Sequence, residues 1–361
     1  MADSKSEVSL QSLREKIDQI DLDVLRLLNA RAEAAGEIGK LKTGVLYRPE
    51  REAQVLRRVR ELNPGPLAAE TVTFLFREIM SACLAYERPI TVACLGPSGT
   101  YSEAAAVRQF GHAANILTCI TLDDVVRAAE TGKADFAVVP VENSTEGAVG
   151  RTLDLMIETP LKVCGEIQLR IRHQLLAVPE LTALKDVLRV FSHGQSLGQC
   201  QHWLNAWLPQ AERVAVASNA EAARLAAEQP GSAAIAGELA GERYGLHVLH
   251  ANIEDESTNT TRFLVLGPEL PGPSGRDKTS MVLAARNRPG AIHELLTPLA
   301  TCGVSMTRLE SRPSRTALWE YVFFVDVEGH QQDPAVATAI RAIEEKALFS
   351  KVLGSYPVAA L

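Results

Sequence analysis

Three cations near the N-terminus are spaced for gripping an anion. Arg14, Arg31 and Lys42 lie within residues 9–43, where Leu10, Leu13, Ile17, Ile20, Val24 and Leu27 alternate by three and four. That period is a helical seam close to a heptad. Arg31 follows Leu27 by four residues and falls in phase with the seam, where a cation is costly unless an anion meets it. Lys42 comes eleven residues later and returns to nearly the same face, roughly 16 Å along the axis. Arg51 and Glu52, on the next helix, can join the pair around one small dianion. Arg14 is roughly 25 Å from Arg31 along one helix, too far to reach the same ligand easily from the same chain, though a partner chain could bring it. The competing reading is a solvated face whose long stems lie over apolar surface. No histidine precedes His112, so the first third works with Arg, Lys and carboxylates, without general-base histidine or imidazole metal ligands.

A second set of polar residues recurs after short apolar runs. CLGPSGTYSEAA (94–105), VVPVENSTEGAV (138–149), SHGQSLGQC (192–200) and NTTRF (259–263) follow one another in that order. Gly-flanked turns and helix starts at 99–102 and 143–146 present N–H groups suited to carboxylates. Arg262 adds fixed charge or orders its loop. A decoy lies among them: GQSLG (194–198) matches the G-x-S-x-G nucleophile elbow, with His247 and His250 downstream as a triad would need. It lacks an HGGG-type oxyanion segment, and Ser192 and His193 separate it from the preceding apolar strand.

The elements that must position these groups read as three units in 361 residues, too long for one ordinary core. Residues 9–43, about 50–62 and about 67–87 read as three helices with no strand, and one very long helix with two shorter ones favours dimerisation. Ser9 is the first candidate cap. From Ile90 onward, strand-then-helix units recur at 91–96, 136–142, 188–193 and 232–237, with a late strand at 263–267, predicting an α/β sheet with a largely parallel core. Residues 267–278, with three Pro and three Gly in twelve residues, read as a linker. The remainder has the order βαββαβ of a ferredoxin-like unit. The domain boundaries expected are 1–88, 90–267 and 278–361.

Composition limits the partners. Lys plus Arg total 37 and Asp plus Glu 44, for a net charge of −7. A general nucleic-acid or anionic-membrane binder is therefore not expected. Residues 1–90 carry 14 basic and 14 acidic side chains, so the later units supply the whole excess. The six cysteines form no CxxC pair, the polar N-terminus lacks an apolar leader, and no apolar run approaches a membrane span. A cytoplasmic protein with reduced thiols and no cofactor or metal is expected.

The motifs carry family resemblances. LREKID (13–18), LLNAR (27–31), GKLK (39–42) and RE (51–52) resemble the AroQ-type chorismate mutase, an interlocked helical dimer. The resemblance implies that Arg14 comes from the partner subunit and that Arg31, Lys42, Arg51 and Glu52 line the site. Arg14 and Arg31 would hold two carboxylates, and Lys42 the ether oxygen. The rearrangement of chorismate to prephenate needs no base, nucleophile or metal, only the right conformer and charge stabilisation. The sequence departs from the usual pattern in a shorter loop between Lys42 and Arg51, in Cys83 where Ser is frequent, and in Glu87 where Gln often donates to the ether oxygen.

The four middle motifs together resemble prephenate dehydratase, a two-lobed fold like the periplasmic binding proteins with its site between the lobes. That resemblance implies substrate contacts from Thr100, Ser102, Ser144, Thr145, Ser192, Gln195, Arg262 and Phe263. It implies chemistry from Glu142, Asn143, Gln199 and Thr261, with Thr261 as hydrogen-bond donor to the departing hydroxyl and Glu142 as a candidate ultimate acid. NRPGAIHELL (287–296) and ESRPSR (310–315) resemble the ACT domain that senses phenylalanine. They imply an effector site of Asn287, Gly290, Ala291, Ile292, Glu310, Ser311, Arg312 and Pro313. The whole resembles the bifunctional chorismate mutase–prephenate dehydratases, with chorismate, prephenate and effector phenylalanine as ligands and a homodimer or higher homo-oligomer as the assembly. The alternative is a dehydratase whose N-terminal module is a weakened mutase serving mainly dimerisation.

Overall fold

The computed structural model describes residues 9–41, 47–285, 288–313 and 321–359. Helix α1 (Leu10–Leu41) starts where Ser9 accepts the Ser12 backbone N–H at 3.1 Å. It buries none of its residues; Leu10, Leu13, Ile17, Ile20, Val24 and Leu27 are 46–66% exposed. Helix α2 (Pro49–Leu62) opens on the proline that suits a first turn, and α3 (Ala69–Glu87) returns along it and against α1. The module is bolted to the next domain by Tyr47, buried with its ring 5.1 Å from Phe110 and 5.3 Å from Phe136.

The middle domain has two lobes, each built on one sheet. The first contains β1 (Thr91–Leu95), α4 (Tyr101–Phe110), β2 (Asn115–Cys119), α5 (Leu122–Glu130), β3 (Phe136–Asn143), β4 (Gly147–Ala148), α6 (Gly150–Glu158) and β5 (Lys162–Arg170). The chain then crosses to β6 (Gln174–Ala177), β7 (Arg189–His193), α7 (Gly194–Gln199), α8 (Gln201–Trp207), β8 (Glu212–Val216), α9 (Asn219–Glu228), β9 (Ser232–Ala236), α10 (Glu238–Tyr244) and β10 (His247–His250). It returns as β11 (Thr260–Gly267), which inserts between β3 and β5.

The sheet orders are β2-β1-β3-β11-β5 and β10-β6-β9-β7-β8. The core is largely parallel, as expected, with one reversed strand on each sheet path: β11 is antiparallel to β3 and β5, and β6 is antiparallel to β9 and β10. The reversal arises where the chain changes lobe, because a strand entering from the other lobe arrives at the opposite end of the sheet.

The C-terminal unit is β12 (Asp277–Ala284), α11 (Ala291–Thr301), β13 (Met306–Pro313), β14 (Tyr321–Glu328), α12 (Pro334–Glu344) and β15 (Phe349–Pro357), with sheet order β13-β14-β12-β15. Alternation along the strands divides its two faces. Met281, Leu283, Phe323 and Val325 pack with the helices, whereas Val282, Phe324, Leu353 and Tyr356 join Leu153, Met156 and Val163 in a core shared with the middle domain. The Pro/Gly-rich connection is also held down, since Arg57 on α2 donates to the Ser274 carbonyl at 3.2 Å. Among the described residues no helix is long and apolar enough to cross a membrane.

Candidate active site

A cavity of about 240 Å³ lies between the lobes, where strands end and helices begin. Thr100, Ser102, Asn143, Gln195, Gln199, Thr261 and Phe263 all line it, as the motifs imply. Three helix N-termini border it. Thr100 caps α4 by accepting Glu103 N–H at 3.3 Å, Ser218 caps α9 by accepting Glu221 N–H at 3.1 Å, and His193 Nδ1 receives Gln195 N–H at 3.3 Å at the start of α7. Among the described residues the lining includes no Arg or Lys. Carboxylates entering this cleft would therefore meet amides, hydroxyls and the positive ends of helices rather than side-chain cations.

The polar groups are ordered by one hydrogen-bonded network. Asn143 Nδ2 donates to Thr261 Oγ1 at 2.8 Å and to Asn259 Oδ1 at 2.9 Å. Asn143 Oδ1 accepts the Thr145 hydroxyl at 2.6 Å and the backbone N–H groups of Thr145 and Glu146. Across the cleft, Gln199 Nε2 donates to Thr145 Oγ1 at 3.1 Å, and Gln199 Oε1 accepts Asn259 Nδ2 at 3.1 Å. The same oxygen lies 2.9 Å from His173 Nε2, and His173 Nδ1 lies 2.9 Å from the Tyr101 hydroxyl. A carboxamide oxygen only accepts, which assigns the proton to His173 Nε2. His173 is 1% exposed, and burial lowers its pKa despite the opposing pull of Gln199. It is a neutral strut. Because Asn143 occupies an acceptor site on Thr261, the Thr261 O–H remains available to the cavity.

Several implied residues stand elsewhere. Glu142 and Arg262 lie behind the site, because successive strand residues face opposite ways and Asn143 and Thr261 take the cleft side. Glu142 pairs with Arg308 at 2.8 Å, and Arg262 with Glu166 at 2.9 Å and Asp326 at 2.6 Å. Neither is among the residues that line the cleft. Ser192 is fully buried, with its Oγ 3.0 Å from both the Asn219 Oδ1 and the Ile235 carbonyl oxygen, which compete for its single proton. Ser144 Oγ accepts the Thr260 N–H at 3.0 Å. Sequence reasoning missed Tyr101, His173, Asn219 and Asn259. Asn259 was legible in principle, two residues before Thr261 and so on the same strand face.

The elbow motif is not a nucleophile site. Ser196 is 4% exposed and its Oγ accepts Asn219 Nδ2 at 2.9 Å. His247 belongs to the far edge strand of that sheet and bonds the Ala177 carbonyl, while His250 packs on Trp203.

In the helical module Arg14 and Arg51 are exposed, Arg31 is half-buried and Cys83 is buried. Lys42 lies outside the described residues. Glu87 rests directly on Gly39 of α1, where any side chain would overlap it, and its Oε1 is buried without a hydrogen-bond partner among the described residues. Glu52 departs from expectation. A helix turns 100° per residue, so with Arg51 at solvent Glu52 faces inward, 3.6 Å from Arg77. It opens on a separate cavity of about 140 Å³ with Arg57, Arg60 and Gln109. Burial raises its carboxyl pKa against the opposing Arg77.

In the C-terminal unit Gly290 adopts φ 79°, a left-handed conformation suited to glycine, and starts α11 at Ala291; Ile292 is 43% exposed. Glu310 and Arg312 share one face of β13, Ser311 and Pro313 the other. Arg312 reaches Asp154 on α6 at 3.3 Å, an ion pair between the two domains. Asn287 lies outside the described residues.

The fold and cleft thus define a multidomain α/β protein with an anion-receiving interlobe site and a ferredoxin-like regulatory unit. Three family models match in succession: Chorismate mutase type II over residues 13–88, Prephenate dehydratase over 92–270 and ACT domain over 280–345. The chain belongs to the family of bifunctional chorismate mutase/prephenate dehydratases. A relative of that description from Neisseria gonorrhoeae (strain ATCC 700825 / FA 1090) is 55% identical over 351 residues, covering 96% of this chain and 97% of its own length. Among solved structures, a prephenate dehydratase from Arthrobacter aurescens in complex with L-Phe is 35% identical, with TM-score 0.69, over 74% of this chain and 90% of that one. GqqA, described as a novel type of quorum quenching acylase, is 33% identical, with TM-score 0.68, over 74% of this chain and 98% of that one.

Proposed function

We propose that the chain catalyses two successive reactions: chorismate to prephenate in the unit 1–88, and prephenate to phenylpyruvate in the unit 90–267. Phenylalanine acts through the unit 278–361 as feedback inhibitor. The observation that carries the dehydratase reading is the Asn143–Thr261 bond, which turns the Thr261 proton toward the cleft. In the second reaction the C–CO₂ bond breaks, its electron pair aromatises the ring, and the ring C–O bond breaks with release of hydroxide. One proton joins the hydroxide, giving water, CO₂ and phenylpyruvate. Thr261 donates a hydrogen bond to that oxygen as charge develops on it. Asn143 orients Thr261, and Thr100, Ser102, Gln195 and Gln199 with nearby helix N-termini receive the carboxylates. The net proton comes from solvent, since Glu142 faces the other side of the sheet.

For the first reaction we assign Arg14 of one subunit with Arg31 and Lys42 of the other to the two carboxylates and the ether oxygen. The exposed apolar stripe of α1 supports a homodimer that completes this site and covers the stripe. Edge strand β13 supports a second contact, between regulatory sheets. We place the enzyme in the cytoplasm, in keeping with six free cysteines. The test is purified protein given chorismate, with prephenate and phenylpyruvate followed with and without phenylalanine. Both products should form, and phenylalanine should depress the second. Turnover of prephenate alone would reduce the helical module to dimerisation.

A further inference from the structure

Strands β3 and β11 carry one pair of residues toward the cleft and the next pair away from it. In register, Thr261 faces Asn143 and Arg262 faces Glu142. The rear pair is held mostly by the regulatory sheet, with Glu166 of β5 as the contact from its own lobe. Arg262 donates from Nη1 to Asp326 on β14 at 2.6 Å and from Nη2 to the Tyr356 hydroxyl on β15 at 2.9 Å. Its Nε donates to Glu166 on β5 at 2.9 Å, and Glu166 also receives Lys278 of β12 at 2.9 and 3.1 Å. Ser280 donates to Asp326 at 2.6 Å and lies 2.6 Å from the Tyr356 hydroxyl. Glu142 meets Arg308 of β13 at 2.8 Å.

The centre of this network is dry: the Glu166 side chain is 0% exposed, that of Asp326 5% and that of Arg262 13%, while Glu142 at its rim is 40% exposed. Burial alone would pull the guanidinium pKa down, but Tyr356, Asp326 and Glu166 hold it well above its ordinary value. A buried network of this kind has one satisfied arrangement, because loss of one partner strands an uncompensated charge. It also acts where the backbone is least self-supporting. The β11–β3 ladder changes register between Arg262 and Phe263, one residue from Thr261. An irregular ladder fixes its neighbours less firmly than a continuous one.

We propose that Arg262 and Glu142 are positioning residues, through which Asp326, Tyr356 and Arg308 of the regulatory sheet hold Thr261 and Asn143 at hydrogen-bonding distance. The regulatory unit is then part of the dehydratase scaffold. The inference rests on Thr261 and Asn143 being the reacting pair.

The test uses the full chain carrying Asp326→Asn, Tyr356→Phe or Arg308→Ala. The readouts are kcat and KM for prephenate, chorismate consumption by the same chain as a folding control, and deuterium exchange of the amides of residues 260–263. Misplacement by about 1 Å can cost roughly 10²-fold, so kcat should fall about 10-fold or more in Asp326→Asn. Tyr356→Phe, which deletes only a hydroxyl, should show a smaller fall of the same kind. KM should move less than kcat, mutase turnover should persist, and exchange on β11 should quicken. Arg262→Lys should not rescue, because an ammonium cannot reproduce the three-way fork. Unchanged kcat and unchanged exchange in Tyr356→Phe and Arg308→Ala would overturn the proposal. Thr261→Ala measured alongside separates the two ideas: if it retains turnover while Asp326→Asn still quickens exchange, the donor assignment fails and the grip stands.

Discussion

Replacing Thr261 with Ala deletes a hydroxyl that accepts from Asn143 at 2.8 Å and leaves its own proton for the cleft. The structural cost is small. Asn143 keeps its bond to Asn259 at 2.9 Å and its three acceptor contacts with Thr145 and Glu146, so the network loses one neutral hydrogen bond, about 1 kcal/mol. The catalytic cost is larger. A preorganised donor aimed at developing oxyanion charge contributes about 2.7–4 kcal/mol, or 10²–10³ in kcat. Phenylpyruvate formation from prephenate by Thr261→Ala should therefore fall by about two to three orders of magnitude. KM should change little, because the cavity's carboxylate receivers are untouched. Thr261→Ser keeps the donor and should recover most of the rate. Chorismate consumption reports folding in the same sample. Thr261→Ala turning over within about threefold of the parent, well short of the loss expected for a missing donor, would refute the reasoning. So would parallel loss of mutase activity, which would mean unfolding.

Interlocking of α1 can be tested by subunit mixing. Arg14→Ala and Arg31→Ala should each abolish mutase turnover, and co-refolding them should restore about a quarter of it, since each mixed dimer holds one intact site; no recovery would argue for sites built within one chain. Glu87→Gln, which puts an amide donor where the ether oxygen is expected, should raise mutase turnover at neutral pH; unchanged or lower turnover would remove this role. Burial lowers the folded-state pKa of His173, so its contribution to stability is present above the unfolded value of about 6.5 and is lost as pH falls below it. Melting temperature should therefore drop on acidification from pH 7 to 5, less steeply in His173→Gln; equal slopes would place the acid sensitivity elsewhere.

Much of this was legible in the residues. The 3.6-residue period located α1, and the Gly-rich turns marked the strand ends that form the cleft. The motif order drew Asn143, Gln199 and Thr261 into one network. What sequence reasoning lost was strand parity. Motif residues in a row, such as Glu142-Asn143 and Thr261-Arg262, were treated as one surface, whereas a strand must send neighbours to opposite faces. His173 carried no local signal, because its partners Tyr101 and Gln199 lie 72 and 26 residues away. The seam on α1 is a helix face as its period implies, but its apolar residues stay exposed among the described residues of one chain.

Tyr47 changes how separable the helical module is. Its ring belongs to the same buried cluster as Phe110, Phe136 and Phe263 of the dehydratase lobe, and its hydroxyl takes the Gln109 amide at 2.9 Å. A dehydratase trimmed to begin at Ile90 would lose a core side chain along with its neighbour domain. The vacancy would cost about 3–5 kcal/mol on the scale of an aromatic truncated to alanine. In evolutionary terms the fusion works as a ratchet: once a tyrosine of one domain serves as mortar in the next, the partners cannot part until some other residue has grown to fill its place.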